Sequence, residues 1–200
     1  MSPMKKLLAI TILSLCFITS SLANDIKDFE IEGISLGDNL LDHHKKFKAT
    51  RDELSKIPTG KYPKSDKFVL TKNITSIKSD DYDSLSFEID PKSFEIRAIK
   101  GNKGIENIDS CIKLQDEIFS SFKEEHPPDK ENIGVLKSHP IDTSGKSLSK
   151  TNKLNYANGD VVIICTKWNH ENEKVKNEIN GLMISILTKE HSLWLKNEAY

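Results

Sequence analysis

The most continuous apolar run after the first two dozen residues lies at 160–168, with the sequence Asp-Val-Val-Ile-Ile-Cys-Thr-Lys-Trp. Four β-branched residues in a row predict a β-strand that is covered on both faces. Asn158 and Gly159 separate this run from a shorter apolar segment at 154–156, and an Asn-Gly pair in that position favours a β-hairpin. We therefore expect this strand to lie centrally in a sheet.

A second hairpin is predicted over 84–100, where apolar and polar residues alternate as in a strand with one buried face. Asp90-Pro91-Lys92-Ser93 supplies the turn, because proline fixes a φ angle that suits it. The apolar positions of the two strands are Leu85, Phe87, Ile89, Phe94, Ile96 and Ala98. Further strands are predicted at 67–70, 74–78 and 182–188.

Two longer segments have apolar residues at helical spacing. The first begins near Ser35 or Asp38, either of which could cap it, and continues to Lys48; its stripe comprises Leu36, Leu40, Leu41, His44 and Phe47. A second turn of helix over 51–57 would follow it. The second long helix is expected at 106–123, with a stripe of Ile108, Cys111, Ile112, Gln115, Ile118, Phe119 and Phe122.

With a short C-terminal helix at 192–199, these elements follow the order α-βββ-α-βββ-α. We interpret that order as an α+β fold, an antiparallel sheet with the two main helices packed on one face. One domain is expected at 24–200.

Residues 1–23 have the pattern of a cleaved signal peptide: Lys5 and Lys6, an apolar run at 7–18, and small residues at Ser21 and Ala23. The apolar run is shorter than the roughly 20 residues needed to span a bilayer. Leu15 before Cys16 does not fit the lipoprotein signal, which places a small residue there. We therefore expect an exported protein, periplasmic or extracellular, whose translation starts at Met1 or Met4.

Cys111 and Cys165 are the two cysteines that remain after such cleavage. In an oxidising compartment a disulfide between them is the leading interpretation, and two unpaired buried cysteines are the alternative.

Cleavage would leave 27 basic residues against 30 acidic ones, because Lys5 and Lys6 are lost from the 29 in the chain. This balance gives no reason to expect a nucleic-acid partner or, after cleavage, attraction to an anionic membrane. Within the predicted loop at 137–153, Lys137, Lys146, Lys150 and Lys153 are a candidate surface for an anionic ligand or an acidic protein; a solvated loop is the alternative.

The candidate serines and histidines do not form an assembled catalytic motif. Gly145-Lys146-Ser147 lacks the earlier glycine of a phosphate-binding loop, and Ser144, Ser147 and Ser149 do not stand in a G-x-S-x-G nucleophile elbow. His43 and His44 are adjacent, whereas helical zinc ligands are spaced by three or four residues. We expect no metal, no cofactor and no catalytic residue.

Residues 31–42 resemble the mature N-terminus of a group of small secreted proteins of marine bacteria, as do 142–147, 158–160, 164–168 and 194–195. The likeness spans most of 31–195 and implies no activity. More broadly, 33–41 is similar to the helix start of outer-membrane assembly lipoproteins and β-lactamase-inhibitor-like domains. That similarity implies helices against an antiparallel sheet and a function in binding other proteins, although the lipid-anchor cysteine of the lipoproteins is missing.

The first hypothesis is therefore an exported, non-enzymatic domain that binds a protein or a small ligand through its sheet or its hairpin loops. The alternative is a hydrolase whose site is assembled from scattered His and Asp residues.

We expect the mature protein to begin at Asn24, because cleavage should follow Ala23. Intact-mass measurement or N-terminal sequencing of protein from the native cells checks this. A retained, lipid-modified Cys16 would contradict it.

Overall fold

The structure is a computed structural model that describes residues 25–72, 74, 81–172 and 178–200. The predicted signal peptide at 1–23 lies outside these residues, as does most of the strand predicted at 74–78. Within the described ranges, no helix is both long and apolar enough to cross a membrane.

A nine-stranded antiparallel sheet forms the body of the fold, beside a small hairpin of Glu30–Ile31 (β1) and Ile34–Ser35 (β2). The strands of the large sheet are Thr59–Gly60 (β3), Val69–Thr71 (β4), Ser84–Ile89 (β5), Ile96–Gly104 (β6), Lys130–Ile133 (β7), Lys137–Ser138 (β8), Leu148–Tyr156 (β9), Gly159–Lys167 (β10) and Gly181–Thr188 (β11). Their order across the sheet is β3-β4-β5-β6-β11-β10-β9-β7, and β8 also pairs with β9.

The predicted α+β class with an antiparallel sheet and a C-terminal helix is confirmed, but the sheet is larger than the six or so strands predicted. β7 and β8 were missed because all their residues are exposed, so no apolar alternation marks them. β9 was predicted only at its end, 154–156.

Among the described residues, three α-helices accompany the sheet: Arg51–Ser55 (α1), Ile108–Glu125 (α2) and Lys189–Asn197 (α3). The side chains of Thr50, Asn107 and Thr188 accept first-turn N–H groups at the starts of these helices. Each cap therefore satisfies a donor that has no partner within its helix.

The α-helix predicted from about Ser35 to Lys48 does not form. Leu40–His43 is instead a single 3-10 turn. The reason is that the Leu40 N–H donates to the carbonyl oxygen of Phe94 at 2.9 Å, and Asn39 forms an isolated antiparallel β-bridge with Glu95. Bonding to the neighbouring hairpin thus competes with helix formation. The apolar residues of the predicted stripe are nevertheless buried: Leu36, Leu40, Leu41 and Phe47.

α2 and α3 lie on opposite faces of the sheet. Gln115 of α2 donates from Nε2 to the carbonyl oxygen of Ile163 at 2.7 Å, and Cys111 of α2 contacts Cys165. Ser192 of α3 instead donates to Asp160 at 2.6 Å. Asp160 and Cys165 are five residues apart on β10, so their side chains point to opposite faces of the sheet. We call the side of α2 the first face and the side of α3 the second face.

The predicted disulfide between Cys111 and Cys165 is confirmed, with Cα atoms 5.8 Å apart. Both residues are 0% exposed. The bond therefore joins α2 to the first face of β10, the strand predicted to be central.

Replacing both cysteines by alanine should lower the free energy of unfolding by about 4 kcal/mol, because the bond closes a loop with a sequence separation of 54. Urea unfolding of the wild type and the double variant measures the difference. Thiol titration of the denatured, unreduced protein should find no reactive thiol from this pair; two such thiols would show that the bond is absent.

Candidate functional site

Part of the second face is left open by the described residues. Val162, Ile164 and Met183 form its apolar centre and are each partly exposed, whereas Val161 and Ile163, which point to the first face, are 0% exposed. The polar positions around this centre are Asn102, Thr151, Lys153 and Thr166. We call these seven residues the open strip; an apolar centre with a polar rim is typical of binding surfaces.

Within the described part of the chain, the prediction that the 160–168 strand is covered on both faces is therefore wrong on the second face, at Val162, Ile164 and Thr166. The first face is covered by α2. The second face is covered at the level of Asp160, where α3 packs, but not at Val162 or Ile164.

A depression of about 260 Å³ lies at the end of the open strip away from α3. Ile164, Met183 and Trp168 line it together with His139. The rings of Trp168 and His139 lie 4.4 Å apart between centroids, tilted by 58°. Burial lowers the pKa of His139, which favours the neutral ring at pH 7. The depression is therefore an aromatic-walled end to an apolar strip.

The buried carboxylate of Asp142 organises the loop beside these rings. It accepts from the backbone N–H groups of Ser144 and Ser147, each at 2.9 Å, and from the Ser147 hydroxyl and the Asn172 amide, each at 2.6 Å. These bonds, above all that from Ser147, hold the pKa of Asp142 well below its usual range. The Ser147 Oγ also accepts from the Asn169 N–H at 2.9 Å, so the loop is joined to the end of β10.

α3 covers a buried charged cluster next to the open strip. The carboxylate of Glu88 accepts from Lys100 and from His191, and both Glu88 and His191 are 0% exposed. Burial alone would raise the pKa of Glu88, but the hydrogen bond from His191 and the charge of Lys100 outweigh it and lower the value to about 2. Burial and the neighbouring Glu88 raise the pKa of Tyr62. The cluster fastens α3 to the sheet.

The four lysines of the predicted loop do not share one surface. Lys150 and Lys153 are an odd number of residues apart on β9, so they point to opposite faces; Lys150 pairs with a carboxylate of α2 and Lys153 with Asp160. Lys146 pairs with an exposed glutamate, and Lys137 lies on the exposed β8. Their role in binding an anion stays a prediction.

The scattered histidines are not assembled into a metal site in the described ranges, where no group of three or more His, Cys, Asp or Glu side chains could hold an ion. His43 pairs with Asp38 at 2.9 Å. The ring of His44 lies 2.9 Å from the carbonyl oxygen of Leu41.

The residues of the depression cannot be grouped from the sequence because they come from separate segments. Asn102, Trp168 and Met183 become neighbours only when β6, β10 and β11 pair. One signal was available: Val162 and Ile164 share a strand face with Trp168 by alternation.

The fold and the site define a disulfide-linked α+β domain whose sheet has one covered face and one partly open face. Comparisons of the chain with protein-family models, with curated proteins and with solved structures find no match. The interpretation of the site therefore rests on its own geometry.

Acidification should destabilise the wild type more than the Glu88→Gln variant. Glu88 has its pKa lowered from the usual 4.5 to about 2, so the unfolded chain takes up a proton at a pH where the folded chain does not. Its stabilising contribution is present above about pH 4.5 and is lost as the pH falls towards 2. The lost contribution should approach about 3 kcal/mol.

Urea unfolding at a series of pH values from 6 to 2 measures this. A Glu171→Gln variant, which removes an exposed carboxylate, should keep the wild-type profile. Parallel profiles for the wild type and Glu88→Gln would contradict the role given to Glu88.

Proposed function

We propose that the chain is an exported, non-enzymatic binding domain, and that a partner protein docks on the open strip of the second face. The observation that carries this proposal is the partial exposure of Val162, Ile164 and Met183. They lie on β10 and β11, two interior strands of the sheet.

The composition of β10 supports this interpretation. A strand with one solvent-exposed face alternates apolar with polar residues, whereas a strand covered on both faces is continuously apolar. β10 has the second composition from Val161 to Cys165, yet the described chain leaves Val162 and Ile164 partly exposed. A docked partner would cover the second face at these positions, as is typical of a strand with this continuously apolar composition.

Export is supported by two independent features. The first is the signal-peptide pattern at 1–23. The second is the disulfide between Cys111 and Cys165, since such bonds persist in the periplasm and outside the cell. A periplasmic or extracellular location is thus part of the proposal.

The hydrolase alternative is not favoured by the arrangement of titratable groups. Glu88 and His191 are in direct contact, as a base and its orienting carboxylate would be, but both are 0% exposed beneath α3. A substrate could not reach them without displacement of that helix.

We expect Ile164→Lys and Met183→Lys each to weaken capture of a native partner by roughly thirtyfold, because removal of a central apolar contact commonly costs about 2 kcal/mol. The tagged protein is cross-linked in an extract of the native extracytoplasmic fraction, and the cross-linked species is quantified on a denaturing gel. Thermal unfolding of each variant shows whether it still folds.

Ile133→Lys is the matched control, because Ile133 is 63% exposed on β7 at the edge of the sheet. It should capture the same species as the wild type does. Unchanged capture by both strip variants, or loss of capture only with Ile133→Lys, would overturn the proposed docking surface.

A further inference from the structure

The depression beside Trp168 is small for a separate organic ligand. Its volume is about 260 Å³, below the range of about 300–1,000 Å³ that is usual for small-molecule pockets. It is continuous with the open strip through Ile164 and Met183, which line both. These features suit one long side chain projecting from a protein that covers the strip.

The walls of the depression favour a side chain with an apolar stem and a flat, polar end. Ile164, Met183 and Ile179 supply aliphatic surface, and Ile179 is 67% exposed at the mouth. The partly exposed indole of Trp168 supplies a ring on which a planar group can stack.

The charge at the mouth favours a cation. Glu178 lines the depression and is exposed, and its negative charge acts on the ring of His139. Lys103 also lines the depression, but its Nζ donates to the carbonyl oxygen of Asp81 at 3.1 Å. Among the described residues that line the depression, Glu178 therefore supplies the carboxylate that an incoming cationic side chain could meet.

We propose that the depression receives an arginine side chain of the protein that docks on the open strip. This inference rests on the proposed function and adds the chemistry that its partner must present. The guanidinium stacks on Trp168 and donates to the carboxylate of Glu178, while the methylene stem lies along Ile164 and Met183. Arginine suits the depression better than lysine, because its planar group can stack and make a two-pronged contact with a carboxylate.

The test is a titration of the purified, ¹⁵N-labelled protein with N-acetyl-arginine amide, followed at the indole N–H signals. The chain contains two tryptophans, and Trp194 is 1% exposed, so it is an internal reference. We expect a saturable shift of the Trp168 signal and none at Trp194. Glu178→Gln should weaken the binding about tenfold, whereas Glu171→Gln, at an exposed carboxylate outside the depression, should leave it unchanged.

N-acetyl-lysine amide should bind more weakly than the arginine compound, and N-acetyl-leucine amide should give no saturable shift. Equal binding of the lysine or leucine compound, or unchanged binding to Glu178→Gln, would overturn the arginine assignment. The capture experiment separates the two proposals. Capture that depends on Ile164 without arginine binding would reject only this inference, whereas arginine binding with capture insensitive to Ile164→Lys and Met183→Lys would reject the docking surface.

Discussion

The pairing of β6 with β11 is the constraint on which the rest of the structure depends. These strands are distant in sequence, and their contact joins the two halves of the sheet. At one end the backbones approach so closely that a Cβ on Gly181 would lie 2.1 Å from the carbonyl oxygen of Lys103. Gly181 also has a φ of 152°, which favours glycine. The same pairing sets Asn102 opposite Met183 and so builds the depression.

The charged end of the second face explains why the open strip stays open. Glu88 and Asp160 are 0% and 1% exposed, and a buried carboxylate is tolerated only when it is paired and hydrogen-bonded. α3 contributes a hydrogen bond to each of the two carboxylates, from His191 to Glu88 and from Ser192 to Asp160. A shift of α3 along the sheet towards Ile164 would break these bonds. The helix is therefore held at one end of the face by its polar contacts.

Local periodicity predicted the elements whose partners are adjacent in the chain. The alternation around Phe87 and the stripe on α2 correspond to real faces, and Cys111 and Cys165 meet because each lies on such a face. Periodicity failed where contacts between residues distant in sequence determine the local structure. The residues with helical spacing around Leu40 form a turn that is hydrogen-bonded to the hairpin at Phe94. No local pattern links the segments that form the depression.

The size of the open strip also limits the kind of complex that the proposed docking could produce. Its apolar centre comprises only Val162, Ile164 and Met183, much less than the large hydrophobic surface of an obligate assembly. In smaller interfaces a few central residues and one well-filled pocket provide most of the affinity. A short apolar strip that ends in a depression with Trp168 and Glu178 has that composition. The proposed partner would therefore bind reversibly and be recognised by one projecting side chain more than by contact area.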